Sequence, residues 1–411
     1  MDARRWLTRV AVLAGAMAPV ALGLPSRPAL ADENAPARAV ARPGDPAGAG
    51  VRAAPDPAPG ADDPGGSEAV RREHTLERRR WTRCVLFDLR GRGPSPAEME
   101  AALALEPAAL VDRMLADPAT WGAWLDRELY FYLLIDRFRP VSERVSALPA
   151  KLAAGEATVK DATREILVSV EFNARNPGND TFVTVVLEQL LGVVVQERTR
   201  MLEHGKKMYD GYAARLFGEL GRSQADIVRI VLGRREFADR FVERQYRQVF
   251  GKAPDPEELS FAAALFHGDP GAFRALLREW LLSDAYRART AIPRPKGDLV
   301  FLRTLFMDIL GREPTFEEFR NSRNAFLALS DPAPIRNVLA QLLLESGRAP
   351  LPEKASIAKP AAWVRGEFVR LLGREPTGRE TDAFVATLGE YGCGPGTIVL
   401  ALVTSPDYQY Y

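Results

Sequence analysis

Four times along the chain an aromatic residue is followed ten positions later by a glycine, then at once by a basic residue, two beyond that by a proline, and four further by a glutamate. The sets are Trp81, Gly91, Arg92, Pro94, Glu98; Phe241, Gly251, Lys252, Pro254, Glu258; Phe301, Gly311, Arg312, Pro314, Glu318; and Trp363, Gly373, Arg374, Pro376, Glu380. Self-similarity at a spacing of about 60 residues constrains the fold strongly, because each copy has to be one supersecondary unit.

The ten residues before each glycine carry apolar side chains at helical spacing, as in Phe301, Leu302, Leu305, Phe306, Ile309 and Leu310, so they predict a helix with one buried face. The glycine sits where a helix needs a left-handed residue past its end, and the proline prevents continuation. Ser95, Asp255, Thr315 and Thr377 come next, each three residues before its glutamate, which is the capping-box arrangement for a second helix. Pro96 and Pro256 come directly after their caps, where a missing amide hydrogen costs nothing. The repeated basic residues read as partners for helix carbonyl ends. Two units also end alike, on Ser283 and Tyr286 and on Ser405 and Tyr408, each tyrosine 35 residues past its glycine.

The expected fold is therefore all-α: tandem two-helix repeats of about 60 residues, four clear and one degenerate. The worn copy runs from Phe182 to Gly192 and lacks the proline and capping glutamate, and a helical insertion is the alternative reading. The expected segments are a signal peptide at 1–31, a disordered linker at 32–70, a first unit at 71–126, an insertion with the degenerate repeat at 127–240, and units at 241–292, 293–352 and 353–411.

Arg4, Arg5 and Arg9 precede an apolar run from Val10 to Leu24, and Ala29-Leu30-Ala31 offers a small-residue cleavage site, so export to a periplasmic or extracellular location is expected. Residues 32–70 are dominated by Ala, Pro, Gly and Asp and cannot bury a core. No later stretch is apolar enough for a membrane helix, so no integral membrane segment is expected after signal removal. The net charge is +1, and the four arginines and one aspartate of the signal leave a slightly acidic remainder, which gives no basic excess for nucleic acid.

Histidines at His74, His204 and His267 show no metal-ligand spacing; His204 and His267 read as turn residues. Neither a catalytic motif nor a phosphate-cradling loop occurs, and no cofactor is indicated. Asn173, Asn176, Asn179 and Asp180 surround Pro177-Gly178 and could supply oxygens to a cation or a sugar; the plainer reading is a turn with Asp180 capping the next helix. Cys84 and Cys393 would close the array if bridged, and a buried thiol is the plainer reading of Cys84.

Residues Arg83–Leu125, with Phe87-Asp88-Leu89-Arg90-Gly91, Pro94-Ser95-Pro96-Ala97-Glu98, Trp121 and Trp124, resemble the opening of an uncharacterised domain of secreted planctomycete proteins, often joined to cytochrome-type domains. The later units, with Leu310-Gly311-Arg312-Glu313-Pro314-Thr315, Leu372-Gly373-Arg374-Glu375-Pro376-Thr377 and the Ser-x-x-Tyr endings, resemble an all-helical repeat of exported bacterial proteins similar to phycobilisome linker domains. The likeness covers about 45 residues at the front and most of 225–411. It implies a helical fold and carries over no catalytic residues; a cytochrome role is unsupported because Cys-x-x-Cys-His is missing. The expected function is a scaffold that binds envelope proteins or surface polymers. The alternative is an envelope hydrolase or lyase acting on cell-wall or polysaccharide substrates with carboxylates such as Glu171 and Asp180.

Overall fold

The computed structural model of the chain describes residues 64–134, 141–195, 198–328 and 331–411, with side chains from His74 onward. The signal peptide and the linker up to residue 63 lie outside the described residues. Contacts divide the chain between Glu73 and His74, and the helical body is the unit His74–Tyr411. The first helix, α1, runs Pro64–Arg90. It therefore begins inside the stretch assigned to the linker and not at residue 71, because the charged run up to Arg80 continues the same helical turns into Trp81, Cys84, Val85 and Leu89. All four of those side chains are buried.

The fold is all-α. After α1 come α2 (Pro96–Leu103), α3 (Pro107–Leu115), α4 (Pro118–Leu133), α5 (Glu143–Ser146), α6 (Leu148–Ala154), α7 (Val159–Leu167), α8 (Val170–Arg175), α9 (Gly178–Leu191), α10 (Thr199–Tyr209) and α11 (Gln224–Leu232). Then come α12 (Arg235–Phe250), α13 (Pro256–Gly268), α14 (Phe273–Leu282), α15 (Asp284–Thr290), α16 (Asp298–Leu310), α17 (Phe316–Leu327), α18 (Ala333–Glu345), α19 (Pro360–Leu372), α20 (Gly378–Gly389) and α21 (Pro395–Val403). One departure is a two-stranded antiparallel hairpin, β1 (Ala214–Leu216) and β2 (Glu219–Gly221), turned by Phe217 and Gly218 at φ of 51° and 86°.

The two-helix description of the units is too short. Each corner joins two helices, but a third apolar helix comes after them within the unit: α14, α18 and α21 after the last three corners. Phe273, Leu276, Trp280 and Leu281 of α14, and Ile398, Val399, Leu402 and Val403 of α21, are all buried. A hairpin of two amphipathic helices leaves one apolar side uncovered, and the third helix covers it.

One apolar cluster runs continuously from Trp81 to Tyr286, through α1, α4, α9, α11, α12 and α14. Phe241 sits in it at 2% exposure, stacked on Phe266 at 4.7 Å and edge-on to Phe273 at 5.2 Å. Helices α9 and α10 approach closely, since a Cβ on Gly205 would lie 2.4 Å from Val183. The buried residues from Phe301 to Tyr408 lie outside this cluster.

Between the two, α1 meets the C-terminal segment along a seam of charge. Asp88 accepts from the Tyr286 hydroxyl at 2.6 Å, from Arg294 at 2.9 Å and from the Tyr411 hydroxyl at 3.1 Å. Arg83 donates to the carbonyls of Arg370 and Leu371 at the end of α19. Arg92 and Arg303 both reach Glu313, and Arg303 also donates to the Gly91 carbonyl. The Gly93 amide donates to Thr304 Oγ1 at 2.9 Å, so tightly that a Cβ there would lie 2.7 Å from the Thr304 methyl. Lys296, 2% exposed, donates to the Tyr408 carbonyl and lies 3.6 Å from the centre of that tyrosine's ring. Its burial, with Arg83 and Arg336 nearby, pushes its ammonium well below the usual lysine range.

The two Ser-x-x-Tyr endings do the same work twice. Ser283 and Ser405 cap short helical turns and accept from the amides of Tyr286 and Tyr408. Both tyrosines are fully buried. Tyr286 donates to Asp88 and Tyr408 to Asp308 at 2.7 Å, and each aspartate stands three residues before a corner glycine.

Candidate functional site

The four corners are built alike in the backbone. Gly91, Gly251, Gly311 and Gly373 have φ of 62°, 73°, 67° and 70°, the left-handed region that glycine occupies without a Cβ penalty. Ser95, Asp255, Thr315 and Thr377 accept from the amides of Glu98, Glu258, Glu318 and Glu380. Each cap is worth about 1 kcal/mol. In the helix ending at Gly192 (φ 67°) the left-handed stop is present, but α10 beyond it has no side-chain cap.

The repeated arginines do not bind helix carbonyl ends as the sequence suggested. Arg92, Arg312 and Arg374 each clamp the glutamate six residues ahead with both terminal nitrogens, at 2.7–2.8 Å, 2.8 Å and 2.7–3.0 Å. One nitrogen also donates to the carbonyl of the residue after the arginine. The bend at Pro94, Pro314 and Pro376 folds the chain back so that a planar guanidinium matches a planar carboxylate, a stronger partner than a backbone carbonyl. Burial opposes ionisation of Glu98 and Glu318, yet the arginine fork and the cap amide overcome it and hold both carboxyls down at about 2. At Glu380 the Arg374 fork is the leading cause and the value is again about 2.

The remaining corner shows what the fork contributes. Lys252 is a single point charge and cannot clamp a carboxylate in two places. Its Glu258 does not reach back to the cap residue, so this corner keeps the Asp255 half of the box only. Pro254 is still there to turn the chain. The three corner arginines and their glutamates Glu98, Glu318 and Glu380 are thus occupied in holding bends.

The oxygen cluster before α9 does not converge. Asn173 and Asn176 donate to the carbonyls of Ser169 and Phe172, their own preceding turn. Asn179 donates to Asp210, and Asp180 pairs with Lys206 at 3.2 Å. Asp180 is not the cap; Pro177 holds that position, and Asp180 lies in the first turn facing α10. No group of three metal-capable side chains occurs among the described residues. His204 and His267 are helical, in α10 and the last turn of α13, and not in turns. Both cysteines are free, Cys84 buried and Cys393 half-buried.

What sequence reasoning missed is a cleft of about 760 Å³ framed by the first and last corners. Its walls are Arg79, Arg80, Arg83 and Cys84 of α1, Pro94–Pro96 and Met99 at the first corner, Pro293, and Gly366, Arg370, Leu372, Gly373 and Arg374 along and beyond α19. Tyr410, 45% exposed, stands at its edge. Beside it Tyr411 stacks on Phe87 at 4.3 Å. Burial pushes the Cys84 thiol above its ordinary range, which favours the neutral thiol.

Most charge in the cleft is committed. Arg370 is paired with Glu367 at 2.6 Å, Arg374 with Glu380 and Asp407, and Arg83 with two helix carbonyls. Arg79 and Arg80 make no ion pair among the described residues and are exposed enough to meet a ligand. The trace of them in the sequence is the charged run Arg71–Arg80 before Trp81, which matches no motif. Comparison with known proteins places no relative beside the chain: no family model, curated protein or solved structure matches it. Among the described residues no helix is long and apolar enough to cross a membrane.

Proposed function

We propose that this is an exported scaffold, built as a tandem array of corner-bearing helical units, that recognises an envelope protein or surface polymer through the cleft between its first and last corners. The observation that carries the reading is the pair Arg79 and Arg80, cations with no ion pair among the described residues in a cleft of about 760 Å³, where the other arginines are held by structural partners. A concave wall with an apolar floor and a few placed charges is the usual form of a binding site. Nothing favours the hydrolase reading over this one, since Glu171 accepts from the Ser142 amide and Asp180 is paired with Lys206.

The test replaces Tyr410 by the photo-reactive benzoylphenylalanine in the full chain and irradiates it with envelope extract. Gly366 lines the cleft with nothing within 4 Å of its Cβ position, so Gly366→Phe adds a bulky ring at the cleft wall with room for its first carbon. Discrete adducts that vanish in the Gly366→Phe background support recognition at the cleft. Adducts indifferent to that block, or none at all, sink it.

A further inference from the structure

A second hollow of about 400 Å³ adjoins the first along α1, and the two share Arg80, Thr290 and Ala291. The two hollows lie side by side along α1, so an occupant that reaches both is elongated. Three arginines punctuate it: Arg287 in the smaller hollow, Arg80 on the shared rim and Arg79 in the larger. None of the three is ion-paired among the described residues. Apolar side chains lie among them, Pro107 and the edge of buried Trp81 at one end and Pro94, Pro293 and the edge of buried Met99 at the other, alongside the carboxylates Glu77 and Glu100.

Spaced cations with apolar seats between them exclude most partners by chemistry. A uronate or phosphate polymer would satisfy the arginines but leave Met99, Trp81 and the prolines against hydrated sugar or phosphate, with no apolar side chain to fill them. A neutral apolar ligand would leave the guanidiniums without counter-charge. An extended polypeptide alternates its side chains and can present carboxylates and apolar groups in turn.

We propose that the groove along α1 binds an extended acidic peptide segment of a partner protein, its carboxylates at Arg79, Arg80 and Arg287 and its leucine or proline side chains on Met99, Pro293 and Pro107. This rests on the reading of the cleft as a recognition site. Glu100, exposed on the wall of the larger hollow with no ion pair among the described residues, works against any acidic ligand and sets the affinity below what the arginines alone would give.

The probe is a fluorescein-labelled peptide alternating glutamate with leucine and proline, titrated against the full chain by fluorescence polarisation. Saturable binding is expected, weakening by about tenfold or more in Arg79→Glu/Arg80→Glu, which removes two charge pairs. Binding is also lost in Gly366→Phe, which blocks the groove sterically and leaves the charges in place. Glu100→Gln tightens it, and raised salt weakens it. A probe with glutamine for glutamate binds at least about tenfold more weakly. Circular dichroism of each variant confirms that helicity is kept, and the Glu100→Gln gain cannot come from a damaged fold. The proposal is overturned if the peptide does not bind, if it binds the charge-reversed chain equally, or if oligogalacturonate binds at the groove and the peptide does not. In the last case recognition at the cleft, tested by crosslinking from Tyr410, stands while the peptide class falls.

Discussion

The cluster from Trp81 to Tyr286 and the seam between α1 and the C-terminal segment are both withdrawn from water, but opposite chemistry holds them. The cluster is a run of aromatic and aliphatic contacts such as Phe241 on Phe266 and Phe273. The seam is a chain of carboxylates, guanidiniums and phenols around Asp88 and Glu313. Apolar burial is non-directional and tolerates small displacements, whereas each seam bond needs its partner in one place. The first region therefore supplies most of the stability, and the second fixes where the C-terminal helices lie and hence the width of the cleft.

Substitutions on either side can break that contrast. Phe241→Ala is expected to cost about 3–5 kcal/mol of global stability, read as a shift in the urea midpoint, because a fully packed aromatic leaves a cavity. Asp88→Asn is expected to cost about 3 kcal/mol by leaving Arg294 without its counter-charge. It should act locally as well, speeding proteolysis between 291 and 300 before the cluster opens; a single uniform transition with unchanged cleavage would erase the distinction.

The corners sharpen it through pH. Glu98, Glu318 and Glu380 titrate near 2 in the folded chain against an ordinary 4.5. Folded values below the unfolded ones mean that this stabilisation is complete above about 4.5 and is lost as pH falls toward 2. The triple variant Glu98→Gln, Glu318→Gln, Glu380→Gln should flatten the pH dependence of the urea midpoint across that window, and a slope identical to the parent's would contradict the fork. The smallest effect is at Lys252→Arg: a few tenths of a kcal/mol at most, since Glu258 is turned toward Tyr246 and not toward its cap residue.

Much of the local structure was legible. A glycine that ends an apolar helical run with a proline three residues on marks a left-handed stop, whereas Gly233, which ends α11 without such a proline, is right-handed at φ -76°. With a cap residue three before a glutamate, Gly311, Thr315 and Glu318 could be placed from spacing alone. The Arg312–Glu318 fork was not, because its partners meet only once the proline bend exists. Nor were the Tyr286–Asp88 and Tyr408–Asp308 bonds, which span 198 and 100 residues. Yet a trace of them stands in the sequence. Asp88 and Asp308 precede the first and third corners, while the matching positions at the second and fourth are Gln248 and Arg370. Tyrosine endings occur after only the second and fourth. Donor and acceptor alternate, which joins a tyrosine-ending unit to an aspartate-bearing one but leaves Tyr286 two candidate aspartates, between which only the fold chooses. The cleft had no such signal, since it arises from the first and last corners meeting across the whole chain.

Gly93 turns the seam into something adjustable by a single carbon. With its amide on Thr304 and no room for a methyl, Gly93→Ala acts as a shim between the helix that carries Arg79 and Arg80 and the half that faces them. The addition of one methyl at this backbone position forces its neighbours to shift and thus offers a gauge for how finely the gap between the two halves is set.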